Sequence, residues 1–221
     1  MRARSPFAAV LLVSLIAWPT HARAAGFADA RAGRAAFKVA PKVKNSVNLV
    51  SKAPGETFKG TSRELHGSLT LDPAVLDSAI GQISVPFKSL DTGNAMRNQH
   101  MLSPRWIDAE KNPDAVFVVE GIDKVKITKS TAKATLKGKW QIHGQEKPAD
   151  LPVTLVYQRA KSDAEHDRLA IRTSFNIKLA DFGIEDGAIG KKVATVMRLS
   201  VAVTLEAGAE KPDAPAAGSP S

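Results

Sequence analysis

Apolar and polar residues alternate with period two along most of this chain. Leu65, Gly67, Leu69 and Leu71 share one face, with Glu64, His66, Ser68 and Thr70 on the other. Ile83, Val85 and Phe87 alternate with Ser84, Pro86 and Lys88, and Ala134, Leu136, Gly138, Trp140 and Ile142 with Thr135, Lys137, Lys139 and Gln141. The same spacing runs through Leu151 to Tyr157, Leu169 to Ile177 and Leu199 to Leu205, and Asn45 to Ser51 and Val116 to Ile122 complete the set. Period-two patterning of this kind predicts strands with one buried face, about eight of them. Turn residues separate them at Ala53-Pro54-Gly55, Asp72-Pro73, Lys129-Ser130-Thr131, Gly144-Gln145-Glu146 and Arg159 to Asp167. No strand–helix–strand rhythm appears, which disfavours a parallel α/β fold. The expectation is all-β: an antiparallel sheet that must close on itself or split into a sandwich to bury its apolar side. Helix-competent pieces are short, one near Pro104 to Glu110 and a second at Asp77 to Ala79.

One stretch interrupts the alternation. Ser89 to Phe117 reads SLDTGNAMRNQHMLSPRWIDAEKNPDAVF, and connections of this length are usually functional or carry local structure of their own. Ser89-Leu90, Thr92-Gly93, Arg97-Asn98-Gln99-His100, Ser103, Trp106-Ile107-Asp108-Ala109 and Pro113 to Phe117 follow one another in an order that resembles the central signature of the YceI-like family of lipocalin-like, lipid-binding periplasmic proteins. Asn98 departs from the Asp usual in that family, so an ion pair that this Asp makes in relatives is not expected here. The resemblance extends from about Val47 to Ala207.

The resemblance implies a closed up-and-down, lipocalin-like barrel with one short helix in the long central loop. Gly67 and Gly138 on apolar faces suit sharp strand bending or spare volume, and Pro86, lacking a donor, suits an edge, bulge or opening. An eight-stranded barrel has room for its own side chains or for one small ligand. Periodicity leaves both readings open, and the resemblance implies the hollow one. The expected lining is Leu69, Leu71, Val85, Phe87, Phe117, Leu136, Gly138, Trp140 and Phe175, with Arg97, His100 and Trp106 added from the central loop. Such a wall suits an alkyl or isoprenoid chain, because each methylene taken from water contributes about 0.8 kcal/mol.

The chain ends read differently. Arg2 and Arg4 precede an apolar run from Phe7 to Trp18, and Ala22-Arg23-Ala24 offers small residues for cleavage. That is the layout of a secretory signal, so residues 1–24 are expected to be removed and the protein to be periplasmic or secreted. Residues 25–36 read as a loose segment, 37–207 as the barrel domain, and 208–221, rich in Pro and Ala, as a disordered tail. Loss of the leader leaves 197 residues and lowers the net charge from +9 to +6, because Arg2, Arg4 and Arg23 leave with it. Cys is absent, which excludes a disulfide framework and a lipoprotein anchor at the cleavage site.

A moderately basic exported chain with one Tyr and three Trp is a poor match to single-stranded nucleic acid, which needs stacking platforms. Lys124, Lys126, Lys133, Lys137 and Lys139 fall on the side opposite Val125, Ile127, Leu136 and Trp140. This strip suits protection of strand edges, or a transient contact with anionic membrane lipid. His66, His100, His143 and His166 lack metal-ligand spacing, and DFGIEDG lacks the alternation of a calcium loop and reads as a solvated turn. No Gly-x-Ser-x-Gly elbow or phosphate-cradling loop occurs. Arg97 and His100 suit contacts to a polar head group, or ties to backbone carbonyls and Asp108. Trp106 suits a core plug or a ligand platform. By family analogy the protein is a carrier, store or sequestering protein for an apolar chain, with no cofactor, and a homodimer. The rivals are a protein-interaction module with a filled barrel and an enzyme using His100 as general base.

Overall fold

The computed structural model describes residues 25–162 and 165–208; residues 1–24, expected as a leader, and most of the Pro/Ala-rich tail lie outside the described residues. Among the described residues ten strands form, the eight expected and two, β1 and β3, that the alternation did not pick out: β1 (Ala35–Val39), β2 (Ser46–Lys52), β3 (Thr57–Ser62), β4 (His66–Asp72), β5 (Val75–Pro86), β6 (Asp114–Thr128), β7 (Thr131–Ile142), β8 (Gln145–Gln158), β9 (Arg168–Lys178) and β10 (Val196–Ala207). From β4 to β10 each strand pairs antiparallel with the next, and β1 closes the ring by pairing with both β4 and β10. The result is an eight-stranded antiparallel barrel. Closure removes the unpaired edges that an open sheet of this size would expose.

The seam beside β10 changes strand halfway along. β1 serves the lower half, where Phe37 faces Ala207 and Val39 faces Leu205, and β2 serves the upper half, where Val47 faces Val201. Between them the chain steps out at Pro41, which has no N–H to give the ladder. Buried Asn45 repairs the break, accepting from Thr204 N at 2.9 Å and donating to Ala40 O at 3.0 Å. β2 folds back into β3, and the far edge of β3 meets the segment after β5. Thr61 and Asp91 exchange two backbone hydrogen bonds, and the hydroxyls of Ser62 and Ser89 lie 2.6 Å apart.

Several expectations are corrected. The helix is α1 (Ala95–Leu102), not Pro104 to Glu110. Asn94 caps it by accepting from Arg97 N, whereas Ser103 to Asp108 forms a turn ending at positive φ on Asp108. Asp77 to Ala79 lies inside β5, and Phe87 leaves the strand for a 3-10 turn, Phe87–Ser89. Residues 25–36 are not loose. Phe27 is buried and stacks on Tyr157 with ring centroids 5.4 Å apart, while Ala25 O accepts from Leu76 N, and Ala35 and Ala36 open β1. The segment is a plug that seals the lower end.

Gly138 does not leave volume for a ligand. A Cβ there would stand 2.0 Å from the carbonyl oxygen of Val118 on β6, so the missing side chain permits two strands to approach where the wall bends. Gly67 does the same for β4 and β5, at φ +119° with Gln82 O in the way. At the upper end β8 and β9 part above the Val153–Thr173 pair, where Thr173 Oγ1 donates to Pro152 O. A second apolar cluster, built from Ile142, Ile177, Leu179, Phe182 and Ile184, packs at this end of the barrel, and His143 Nδ1 lies 2.9 Å from Phe182 O.

Candidate functional site

The barrel interior divides into two zones. In the lower zone Phe37, Leu71, Leu155, Leu169 and Leu205 are all buried to 1 % exposure or less, above the Phe27–Tyr157 stack. Tyr157 donates to the buried carboxylate of Asp167 at 2.6 Å, and Asp167 also accepts from Ala160 N at 2.8 Å. Desolvation, then that hydrogen bond, raises the Tyr157 phenol above its ordinary range and keeps it neutral. This end is solid.

The upper zone is hollow. A cavity of about 820 Å³ runs from a deep ring containing Leu69, Val119, Leu136, Val153 and Val203 up to the helix and loops at the mouth. The inward positions of β4 to β10 are apolar by the alternation itself, so closing the sheet brings one greasy face around a common axis. Trp140 forms an aromatic wall with Phe117 (centroids 4.8 Å apart) and Phe175 (5.0 Å). Such rings supply rigid apolar area for a ligand.

Three segments surround the mouth: the β2–β3 turn, residues 90–109 with α1, and the loop before β10. Two ion pairs join them. Arg97 bonds Glu56 and lies over the Phe58 ring, 4.2 Å from its centroid, while Arg105 reaches Asp186 at 2.6 Å. Gly55 N donates to Lys191 O, and Ala194 N donates to the buried hydroxyl of Ser51. Met96, on α1, lines the opening although it is 67 % exposed. His100 and Lys192 also line it and are exposed.

Ten of the twelve residues expected to touch a ligand surround this cavity: Leu69, Val85, Phe87, Arg97, His100, Trp106, Phe117, Leu136, Trp140 and Phe175. Leu71 belongs to the solid lower zone, and Gly138 sits behind Phe117, whose ring would lie 3.1 Å from a Cβ there. Arg97 is engaged by Glu56, not by Asp108, which binds Lys111 at 2.8 Å. Trp106 is half-buried, packing on the upper apolar cluster while facing the cavity. Asp186 is no part of a solvated turn: its side chain is 9 % exposed, held by Arg105 and by Ala188 N. The lysine strip is partly neutralised, Lys137 by Asp150 and Lys139 by Glu146, whose hydrogen bonds raise both ammonium pKa values.

Asn98 has a specific setting. Its Oδ1 accepts from Thr92 N (3.0 Å) and Thr92 Oγ1 (2.6 Å), while its Nδ2 donates to Asp91 at 2.9 Å. A carboxylate would make the first two bonds but not the third. The Asn98 amide, followed by Gly93 N, lowers the Asp91 pKa. Much of the signature stretch therefore serves to clasp the upper seam, through Ser89 on β3 and through Thr92, Asn98 and Asp91 in the loop.

Sequence reasoning missed Leu49, Phe58, Leu90, Met96, Met101, Ile184 and Val193 in the lining. Leu49 lies in the Asn45 to Ser51 segment, whose alternation was read, and Phe58 on β3, which the alternation did not pick out. Leu90, Ile184 and Val193 carried no alternation signal, because irregular backbone has no period to read, and Met96 and Met101 lie on α1, whose 8 residues are too few to show one.

A family model described as the YceI-like domain matches residues 29–205. A UPF0312 protein of Vibrio cholerae is 27% identical over 179 residues, covering 80% of this chain and 87% of its own length. One from Azotobacter vinelandii is 25% identical over 185 residues, covering 82% and 88%. Among solved structures, Burkholderia cenocepacia BcnA superposes with a TM-score of 0.59 at 23% identity, covering 73% of this chain and 96% of that one. A polyisoprenoid binding domain from Saccharophagus degradans gives 0.58 at 16% identity, covering 80% and 100%. At these identities the two structures speak to the fold alone. With the family model spanning the barrel from its N-terminal plug to its last strand, the chain belongs to the YceI-like domain family.

Proposed function

We propose that this chain is an exported lipid-binding protein that holds a polyisoprenoid-like chain inside its barrel, as carrier, store or sequestering protein. The observation that carries the reading is the 820 Å³ cavity with an almost wholly apolar wall, sealed below and open above. A hydrocarbon chain gains the full transfer free energy along such a wall, at about 0.8 kcal/mol per buried methylene. The barrel resembles a domain named for polyisoprenoid binding, which supports the same ligand class. Binding, not catalysis, is the role proposed, since the wall offers an alkyl chain contact area and no reacting group. Exposed Lys124, Lys126 and Lys133 supply cations for a transient contact with anionic membrane lipid during loading. Export rests on the Arg2, Arg4, Phe7 to Trp18 and Ala22-Arg23-Ala24 layout.

Organic extraction of freshly purified protein followed by mass spectrometry tests the reading. The expected result is a prenyl or similar apolar lipid at close to one per chain. An empty protein that also shows no change in tryptophan fluorescence on adding a prenyl alcohol would overturn it, because Trp106 and Trp140 both face the cavity. N-terminal sequencing of periplasmic protein should begin at Ala25.

A further inference from the structure

The cavity has a weak side as well as a mouth. β8 and β9 pair from Gln158–Arg168 up to Val153–Thr173 and no further, although both strands continue, β8 along β7 to Gln145 and β9 along β10 to Lys178. Carried on, the register would set Pro152 opposite Ser174, Asp150 opposite Asn176 and Pro148 opposite Lys178. Two prolines explain why it stops. Thr173 Oγ1 donates to Pro152 O, so Pro152 turns its backbone toward β9. Pro148, four residues along the same pleat, turns the same way, and the β7–β8 ladder runs past both without a shift in register. The N–H groups that proline lacks are therefore the ones β9 would need, and the upper edge of β8 does not zip onto it.

Both lips of this slit face the ligand space. Leu151 and Val153 on β8, and Thr173, Phe175 and Ile177 on β9, line the cavity. A single turn straps the slit shut. The 3-10 turn Leu179–Phe182 leaves the end of β9 and crosses to the β7–β8 turn, where His143 Nδ1 donates to Phe182 O at 2.9 Å. Phe182 is 3 % exposed in its cluster with Ile142 and Ile177, and its neighbours Leu179 and Ile184 line the cavity. Gly183, at φ +65°, ends the turn.

The two ways out differ in chemistry. At the mouth, the Arg97–Glu56 and Arg105–Asp186 pairs join the surrounding segments, and an apolar chain leaving there passes both. The strap is held across the slit by apolar packing and the His143 hydrogen bond. Lifted against a bilayer, Leu179, Phe182 and Ile184 find an apolar replacement that water does not offer. A slit also exposes a chain along its length, so the chain need not be drawn out end first.

We propose that the β8–β9 slit is a side door: Pro148 and Pro152 keep its lips unzipped, Phe182 stoppers it, and a bound chain passes between barrel and bilayer through it and not over the mouth. This rests on the lipid-binding reading and adds a route that the reading does not contain.

Release kinetics test the route. Delipidated protein is loaded with an all-trans four-unit prenyl alcohol and mixed with excess phosphatidylcholine vesicles. The return of tryptophan fluorescence to its unloaded value gives the rate, since Trp106 and Trp140 face the cavity. Two variants act on the door in opposite directions. Phe182→Ala removes the stopper, and release should accelerate at least about tenfold. Pro148→Val combined with Pro152→Val restores both donors, so the Ser174 and Asn176 amides should gain hydrogen-exchange protection and release should slow about tenfold. Asn98→Ala frees the mouth loop from Thr92 and Asp91 and should leave the rate unchanged. General loosening of the fold does not mimic this set, because it does not slow release. Acceleration by Asn98→Ala equal to that by Phe182→Ala would place the passage at the mouth and overturn the door. A proline variant that gains no protection, or gains it and releases as fast as the parent, would overturn it too. A parent protein that takes up none of the alcohol would instead remove the lipid-binding reading, and the door with it.

Discussion

Replacing Gly138 by Ala tests the account of the barrel wall with a single methyl group. The added Cβ would lie 2.0 Å from Val118 O, 3.0 Å from Val118 C and 3.1 Å from the Phe117 ring. Two of these atoms are backbone, so no side-chain rotation relieves the overlap. β6 and β7 must separate by about 1 Å in mid-ladder, where Gly138 faces Val119 and the register already shifts before Gly121. Overpacking of this kind costs about 1–3 kcal/mol, and each ladder hydrogen bond strained open adds up to about 1 kcal/mol. A loss of about 2–4 kcal/mol is expected. The control lies on the same strand pair: a Cβ at Gly121 would meet only Lys137 Cβ, at 3.7 Å. Gly121→Ala should be neutral or stabilise by up to about 1 kcal/mol, by restricting the unfolded chain. Urea unfolding followed by far-UV circular dichroism, fitted for midpoint and slope, measures both. If Gly138→Ala unfolds within about 0.5 kcal/mol of the parent, or no differently from Gly121→Ala, the close approach is not what requires glycine at 138.

Three further perturbations probe the seam and the floor. Asn98→Asp keeps both bonds from Thr92 but sets a second carboxylate against Asp91, so the loop should open at neutral pH and tighten as acid protonates the pair; amide hydrogen exchange at residues 91–98 reads it. The parent protein should show the opposite sign, because the depressed Asp91 pKa contributes stability above the ordinary carboxylate range and loses it as pH falls through the folded-state value. A shared direction would refute the contact. Asn45→Ala leaves buried Ala40 O and part-buried Thr204 N without their partner, and denaturant unfolding should show a loss of about 1–3 kcal/mol; no loss would mean that water repairs the break. Tyr157→Phe removes a bond to a buried carboxylate and should cost about 1.5–3 kcal/mol in the same assay. That difference should shrink as pH rises above about 10, where the raised phenol pKa of the folded parent begins to penalise folding. A pH-independent difference would place the hydroxyl elsewhere.

The ordered sequence Ser89, Thr92-Gly93, His100, Trp106, Asp108 pointed to the family, and the comparison confirms it. What those residues do was not legible. Ser89 and Asn98 entered only as parts of the signature, yet they hold the loop against β3 and against Asp91. Arg97 looked available to a head group, yet its partner is Glu56, 41 residues earlier on the β2–β3 turn. Separation of that size leaves no local trace in a pattern.

Taken alone, the chain determined eight of its ten strands, their inward faces and the apolar character of whatever they enclose, because a pleated strand sends alternate side chains to opposite sides wherever it lies. Leu136, Trp140 and Phe175 were assigned inward on that ground, and inward they are. Tertiary structure decided three other matters: that Gly138 marks a contact and not a space, that Phe27 seals one end, and that the interior is solid below Leu69 and hollow above it. Each depends on the distance between strands remote in sequence. Period-two alternation names the face a residue occupies but carries nothing about how far away the opposite wall stands.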